Sequence, residues 1–517
     1  MPKQIYAVLV LIAASLLLAL VACSNCEYIE VAGSEDVASN SAFGVRIIDN
    51  PDSNSEGAQK AIAEREDVAS NSAFDVRIVD NPDSSSDGAQ KATAEREDVV
   101  CDSAFDVRII NNSDSGSEDS QNESAEIKEL FLLDDLEYPY TGIPRIVIET
   151  EKLQAIKDRE TEIPAKLQIW GAKEPNSDIM ELTIRGRGNS SWTEMPKKSY
   201  KIELKQGKGL LGMPKDKDWA LIANYSDKTL MKNYLAYRLA ADVGMEYAPR
   251  CEFAELYLNG EYQGVYLLTE TIKVNANRVN IPKNDKSYLV EFDEKYRADE
   301  QVFFSDVLTS SKPFRLHFPK NASDTALNVL STHIQSFEKF LLTVNVASLH
   351  EIESWIDVDA FAKHFWIQEF SKNPDANYLT SVYFTWMENR AIKMGPVWDF
   401  DIAFAGFGGY DPEQAFSDGW RTKDDYWSEK LFSNKEFESA VGDYWGVLRP
   451  SFENALFIID SLYDVLKRPA EGNFKKWDVL QKNEKWLFRS VESYEEAVAY
   501  LKDWIAERMK WMDENCF

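Results

Sequence analysis

A chain of 517 residues has room for two or three domains, and a composition that is 44% hydrophobic and 12% aromatic supports a sizeable core. Its net charge of −30 excludes a protein built to hold nucleic acid, whose phosphates ask for a basic footprint. The acid is unevenly spread: residues 24–127 hold 24 acids against 7 bases, so the remainder is only mildly acidic.

The chain opens on MPKQIYAVLVLIAASLLLALVAC, one lysine, a long apolar run and a small residue before a cysteine. This reads as a signal peptide over residues 1–22 rather than a spanning helix. The ending Leu20-Val21-Ala22-Cys23 resembles a bacterial lipobox, which implies acylation of Cys23 and a body tethered to a membrane outside the cytoplasm. Ser24 follows in place of an aspartate retention signal, which favours an outer membrane where the cell has one. The other cysteines, Cys26, Cys101, Cys251 and Cys516, match no zinc spacing.

From Glu35 the sequence repeats with a period of 31 residues, restarting at Glu66 and Glu97. Each unit offers one short apolar piece, such as residues 74–79, amid Ser, Asp, Asn and Glu. That is too little apolar surface to offset the entropy of ordering the unit, so residues 23–126 are expected to be a flexible, disordered acidic stalk.

Order is expected from residue 127 onward. Residues 143–150, 165–170 and 180–185 are strand-like, and 185–204 (RGRGNSSWTEMPKKSYKIEL) reads as two strands around a loop. Such a loop, with Arg187, Lys198 and Lys201 nearby, can cover phosphates with backbone N–H groups and cations, although basic residues beside a hairpin loop are commonly just solvated. Residues 225–244 read as a helix capped by Ser226 or Asp227 and ended by Gly244. Residues 251–258 and 264–269 form a hairpin through Asn259-Gly260, and 287–292 add a strand followed by acids. Helices then dominate: 324–342, 358–370, 435–447, 451–467 and 493–514, whose apolar stripes read as packing faces. The four histidines are scattered singly, against a His-ligated metal.

Between the second and third of these helices lies SKNPDANYLTSVYFTWMENRAIKMGPVWDFDIAFAGFGG, residues 371–409. Residues 378–386 and 391–394 read as a hairpin whose midpoint falls between Glu388 and Asn389, which brings Asp375 to the same end as Asp399 and Asp401. In residues 397–401 polar and apolar side chains alternate, so a strand would set Asp399 and Asp401 on one face, roughly 6–7 Å apart. Paired carboxylates suit Mg²⁺, and a third acid can handle a proton; a solvated strand face with a turn aspartate shows the same spacing.

A β-rich region with a basic loop, followed by helices and a hairpin that gathers aspartates, is the layout of a protein kinase. The stretches RGRGNSSW…PKKSYKIEL, LLGMPKDKDWALIANYSDKTLMKNYLAYRL, LYLNGEYQGVYLLTETIKVNANRVNI, SYLVEFD and EFSKNPDANYLTSVYF…GPVWDFDIAF resemble the CotH (spore coat protein H) family of secreted atypical kinases, over roughly residue 143 to the C-terminus. The resemblance implies an α+β, two-lobed, kinase-like fold over 127–517, with a β-rich N-lobe at about 140–285 and a helical C-lobe at about 286–517. It implies transfer of the ATP γ-phosphoryl group, with Mg²⁺ or Mn²⁺, to a Ser or Thr of a surface or envelope protein. By position, Asp375 resembles the proton-accepting aspartate and Asp399 the metal-binding one, with Asp401 assisting. Arg187, Lys198 and Lys201 are the candidate phosphate cations, Lys201 foremost, and the backbone beside Glu270 is placed to meet adenine. The pattern departs from protein kinases at Thr380, where an asparagine usually holds a second metal; Asn377 or Ser381 stand near enough to substitute. A one-metal kinase, another nucleotide-dependent transferase and an inactive kinase-like scaffold are all compatible with that departure.

Overall fold

The computed structural model describes residues 137–171, 176–309, 312–406 and 412–517, together with four short strands nearer the N-terminus. Residues 1–123 form one unit and 124–517 another. In the first, Tyr28–Ala32 pairs antiparallel with Gly44–Ile48, and Ala61–Glu64 with Asp75–Ile78. Gly44–Ile48 and Asp75–Ile78 occupy equivalent places in the first and second repeats, so the apolar piece of the repeat is a strand there. The leader, Cys23 and the rest of the expected stalk lie outside the described residues.

The β-rich part of the second unit is a closed barrel of seven strands, β1 (Arg145–Thr150), β2 (Ile163–Trp170), β3 (Met180–Arg187), β4 (Ser199–Lys208), β5 (Asp216–Ile222), β6 (Cys251–Leu258) and β7 (Glu261–Glu270). Neighbours run β6-β7-β5-β4-β3-β2-β1, and β1 returns to pair in parallel with β6. Closure leaves the sheet without an open edge. Strand alternation drives it: Met180, Leu182 and Ile184 of β3 are buried, while Glu181, Thr183 and Arg185 turn away. Leu167, Ile202, Trp219, Leu256 and Leu268 fill the interior. The β6–β7 turn has Asn259 at φ 54 and Gly260 at φ 84, the two left-handed residues that match a hairpin's twist.

A second, antiparallel sheet runs β9-β10-β8-β11-β12, from β8 (Ser287–Phe292), β9 (Val302–Phe304), β10 (Pro313–Phe318), β11 (Val382–Met387) and β12 (Lys393–Met394). It shares one large core with α1 (Lys232–Asp242), α2 (Asp324–Leu341), α3 (Val358–Ser371), α4 (Tyr426–Phe432), α5 (Lys435–Glu453), α6 (Ala455–Lys476) and α7 (Tyr494–Asn515). Val265 and Leu267 of β7 also belong to that core, because α6 packs on the outer face of β7.

The β-rich region expected from the sequence is present, as a closed barrel whose shape is set by the contact of β1 with the distant β6. Two expectations are corrected. The helix expected from residue 225 begins at Lys232, because the Asp227 carboxylate takes the Thr229 amide and hydroxyl and the Lys232 amide, holding residues 227–231 in turns. Residues 397–401 are not a strand: Asp399 has φ 67, a left-handed conformation that breaks extended alternation. The hairpin itself forms, with Phe384 opposite Met394 and Thr385 opposite Lys393, one residue from the expected register.

Candidate active site

Two helices build the floor of the site. From α1, Asn233 Oδ1 accepts the Phe400 amide at 2.8 Å and Tyr237 Oη accepts the Asp399 amide at 3.4 Å. Tyr237 also stacks on Trp398, with ring centroids 5.7 Å apart. These contacts hold the left-handed turn at Asp399 that the sequence alone reads as strand. Ser226, expected as a helix cap, instead donates to Asp401 Oδ2 at 3.0 Å. Beyond the end of α3, the buried Asn373 brackets the acids: its Oδ1 accepts the Asp375 amide at 3.3 Å and its Nδ2 donates to the Asp399 carbonyl at 3.3 Å.

Asp375, Asp399 and Asp401 therefore do converge, on one cavity of about 630 Å³. Instead of standing apart on a strand face, Asp399 and Asp401 lie close enough for the charge of Asp399 to raise Asp401. Burial pushes Asp375 up to about 7, reinforced by the charge of Asp401; Arg421 and Lys295 offset only part of this. Burial likewise raises Asp399, helped by the charge of Asp375, and Asp401, helped by that of Asp399, against the pull of Arg187 on the first and of Ser226 and Lys232 on the second. Three half-buried acids thus carry more negative charge than their neighbours neutralise.

That donor chemistry fits a hard divalent cation. Among the described residues, no group of three or more His, Cys, Asp or Glu side chains is set to hold a metal by itself. A cation held by Asp399 and Asp401 would fill its remaining positions with water and phosphate oxygens, the usual manner for Mg²⁺.

The candidate cations separate. Arg187 lines the cavity, lies 4.8 Å from the Trp398 ring centroid and faces Asp399. Lys198 is turned away to the Trp192 carbonyl and does not line it. Lys201 pairs with Asp218 at 3.0 Å and Glu203 at 3.3 Å on the barrel and lines a second cavity of about 690 Å³. Thr271, Ile272, Lys273 and Val274 also line that second cavity, so the backbone just after Glu270 does border a pocket. The Glu270 carboxylate itself is fully buried against Arg250, at 2.9 and 3.0 Å. Arg185, Arg187, Arg315, Tyr383 and Trp398 line both cavities.

Thr380 and Ser381 reach the first cavity, but the Thr380 hydroxyl is donated to Asp293 at 3.0 Å; Asn377 lies outside the lining, its Oδ1 buried without a hydrogen-bond partner. Sequence reasoning missed Lys197, Arg315 and Arg421, which line the cavity, and Asn373. Lys197 is fully buried and donates to Asn473 Oδ1 at 2.8 Å. Strand alternation carried upstream from Ser199 and Lys201 would have pointed to Lys197 over Lys198. Arg421 and Asn373 had no local signal.

Residues 184–512 match the family described as CotH kinase protein, and the chain belongs to that family. A stretch of 110 residues is 32% identical to inner spore coat protein H of Bacillus subtilis (strain 168), covering 21% of this chain and 27% of that relative. The chain thus spans about a quarter of the length of the curated relative it matches.

Proposed function

We propose that this chain is an atypical kinase that transfers the γ-phosphoryl group of ATP to a serine or threonine of a surface or envelope protein. The convergence of Asp375, Asp399 and Asp401 on one cavity walled by Arg187 carries the reading. In this reading the barrel serves as the N-lobe of a two-lobed, kinase-like arrangement and the helical part as the C-lobe. The second cavity, lined by Thr271–Val274 and Trp398, would take the nucleotide base, and the first would admit the acceptor hydroxyl.

Mg²⁺ or Mn²⁺ held by Asp399 and Asp401 would neutralise the phosphate oxygens in the transition state. The rest falls to the chain's own groups. Asp375, raised to about 7 and so poised between its two forms at neutral pH, accepts in its ionised form the proton of the acceptor hydroxyl as that oxygen bonds to the γ-phosphorus and the bond to the β-phosphate oxygen breaks. Arg187 faces the charge that develops beside Asp399. Asn233, Tyr237 and Asn373 fix the backbone that carries the acids, so alignment costs little at the moment of transfer. In this reading the domain works outside the cytoplasm on a lipid anchor; the apolar leader that ends at Cys23 and a relative named for the spore coat support it.

The full chain incubated with labelled ATP and Mg²⁺ or Mn²⁺ is expected to label itself or an added protein, and D375N and D399N to lose that labelling. Equal labelling by all three would overturn the assignment. The commitment of the Thr380 hydroxyl to Asp293 favours one alternative, an inactive kinase-like scaffold that assembles surface proteins. Its mark is the absence of any nucleotide-dependent thermal shift with either metal.

A further inference from the structure

The segment between Asp401 and α4 returns to the site through a buried clamp. The Glu369 carboxylate of α3, 0% exposed, accepts the Arg421 amide at 2.8 Å, the Thr422 amide at 2.6 Å, the Thr422 hydroxyl at 2.8 Å and the Lys423 amide at 3.0 Å. Arg508 of α7, also 0% exposed, ties the same strap down by donating to the carbonyls of Glu369, Ser417 and Gly419. Lys372 donates to the carbonyls of Glu413, Phe416 and Asp418 at 2.9, 2.9 and 2.7 Å. So many charge-assisted bonds from buried side chains leave residues 416–423 little freedom.

What the clamp delivers is Arg421. Its guanidinium donates to the Pro374 carbonyl, on the peptide unit that leads into Asp375, and its charge opposes the upward push on the Asp375 carboxyl. On the other side of the same turn, the Asn373 side chain holds the Asp375 amide. The turn that carries the proton acceptor is thus gripped at Asn373 from within and at Pro374 by a residue far along the chain.

We propose that Arg421 is a positioning residue for Asp375: seated by Glu369, it fixes the Pro374–Asp375 peptide so that the carboxylate faces the incoming acceptor hydroxyl. This rests on the reading of Asp375 as the proton acceptor. Arg421 lines the acceptor cavity and is absent from the lining of the second, so its loss should weaken turnover and not nucleotide binding.

The test compares R421M and R421K in the full chain by two readouts. In amide hydrogen exchange, R421M is expected to speed exchange about tenfold or more in residues 373–379 while the barrel strands stay as protected as in wild type, and R421K to restore most of the protection. In labelling with ATP, R421M should lower kcat by about 10–100-fold with the KM for ATP changed less than about threefold, and R421K should recover part of the loss. Unchanged exchange in 373–379, or a change in KM alone, would overturn the proposal. Uniformly faster exchange in R421M, a sign of general unfolding, transfers the decision to R421K: exchange faster only in 373–379 with a partly lowered kcat supports the proposal, and a lowered kcat with unchanged exchange there overturns it. If wild type labels nothing while R421M still loosens 373–379, the kinase reading fails and the positional claim stands.

Discussion

The barrel and the floor of the cavity both bury carboxylates, and they treat them in opposite ways. On the barrel, Arg250 grips Glu270, Arg278 lies between Asp216 at 3.5 Å and Glu270 at 3.9 Å, and Lys273 joins Asp216 to Asp218. Burial pushes Asp216 and Asp218 up, yet hydrogen bonds and the charges of Arg278, Lys273 and Lys201 more than offset it, and both sit below the usual carboxylate range. At the cavity floor the same burial prevails, and Asp375, Asp399 and Asp401 all sit above it. The first pattern is an ion network that completes itself. The second is a site whose charge is balanced only when something binds, the usual mark of a functional cluster.

The sharpest way to break this contrast is to remove one acid from each region. D399N is expected to cost about 10²–10³-fold in phosphoryl transfer, while thermal melting shows a fold as stable as wild type or more so, because a buried repulsion is relieved. E270Q should do the reverse: a loss of about 1–3 kcal/mol in urea unfolding, since Arg250 loses its two-point partner and the buried Arg278 keeps only Asp216. Equal destabilisation by the two substitutions would erase the distinction.

A pH series sharpens it. A carboxyl whose folded pKa is raised, as that of Asp375 is to about 7, stabilises the fold fully below its unfolded value near 4, and that contribution is lost as pH rises through 7. D375N, compared with wild type without divalent metal, is therefore expected to be more stable at pH 8 by about 1–4 kcal/mol and indistinguishable at pH 4. A gain of the same size at both ends would point to packing and not to charge.

The smallest effect separates the two cations that the sequence could not. R187M should lower labelling about 10–100-fold, as expected for a charge facing the transferred group. K201M, whose ammonium is already spent on Asp218 and Glu203, should change kcat less than about threefold while melting a little lower.

How far these regions were legible follows from how local their signals are. The Asn259-Gly260 turn and the bounds of β8 are written within a few residues and form as read, and the helix expected over 493–514 runs Tyr494–Asn515. Strand β5, DKDWALI, escaped notice because its first half is charged and its alternation short. The convergence of the three aspartates was readable because one hairpin brings them together. Their detailed geometry was not, since Asp399 is bent by Asn233 and Tyr237 from α1, more than 150 residues upstream. Arg421, Lys197 and the clamp at Glu369 depend on tertiary packing in the same way.

The central claim is that the acids at the cavity floor are completed by a metal and a nucleotide. Thermal melting of the full chain with ATP and Mn²⁺, set against D399N under the same conditions, tests it most directly. Wild type is expected to gain several degrees with ATP and Mn²⁺ together and D399N to gain none. An equal shift in both proteins, or no shift in wild type with either metal, would contradict it.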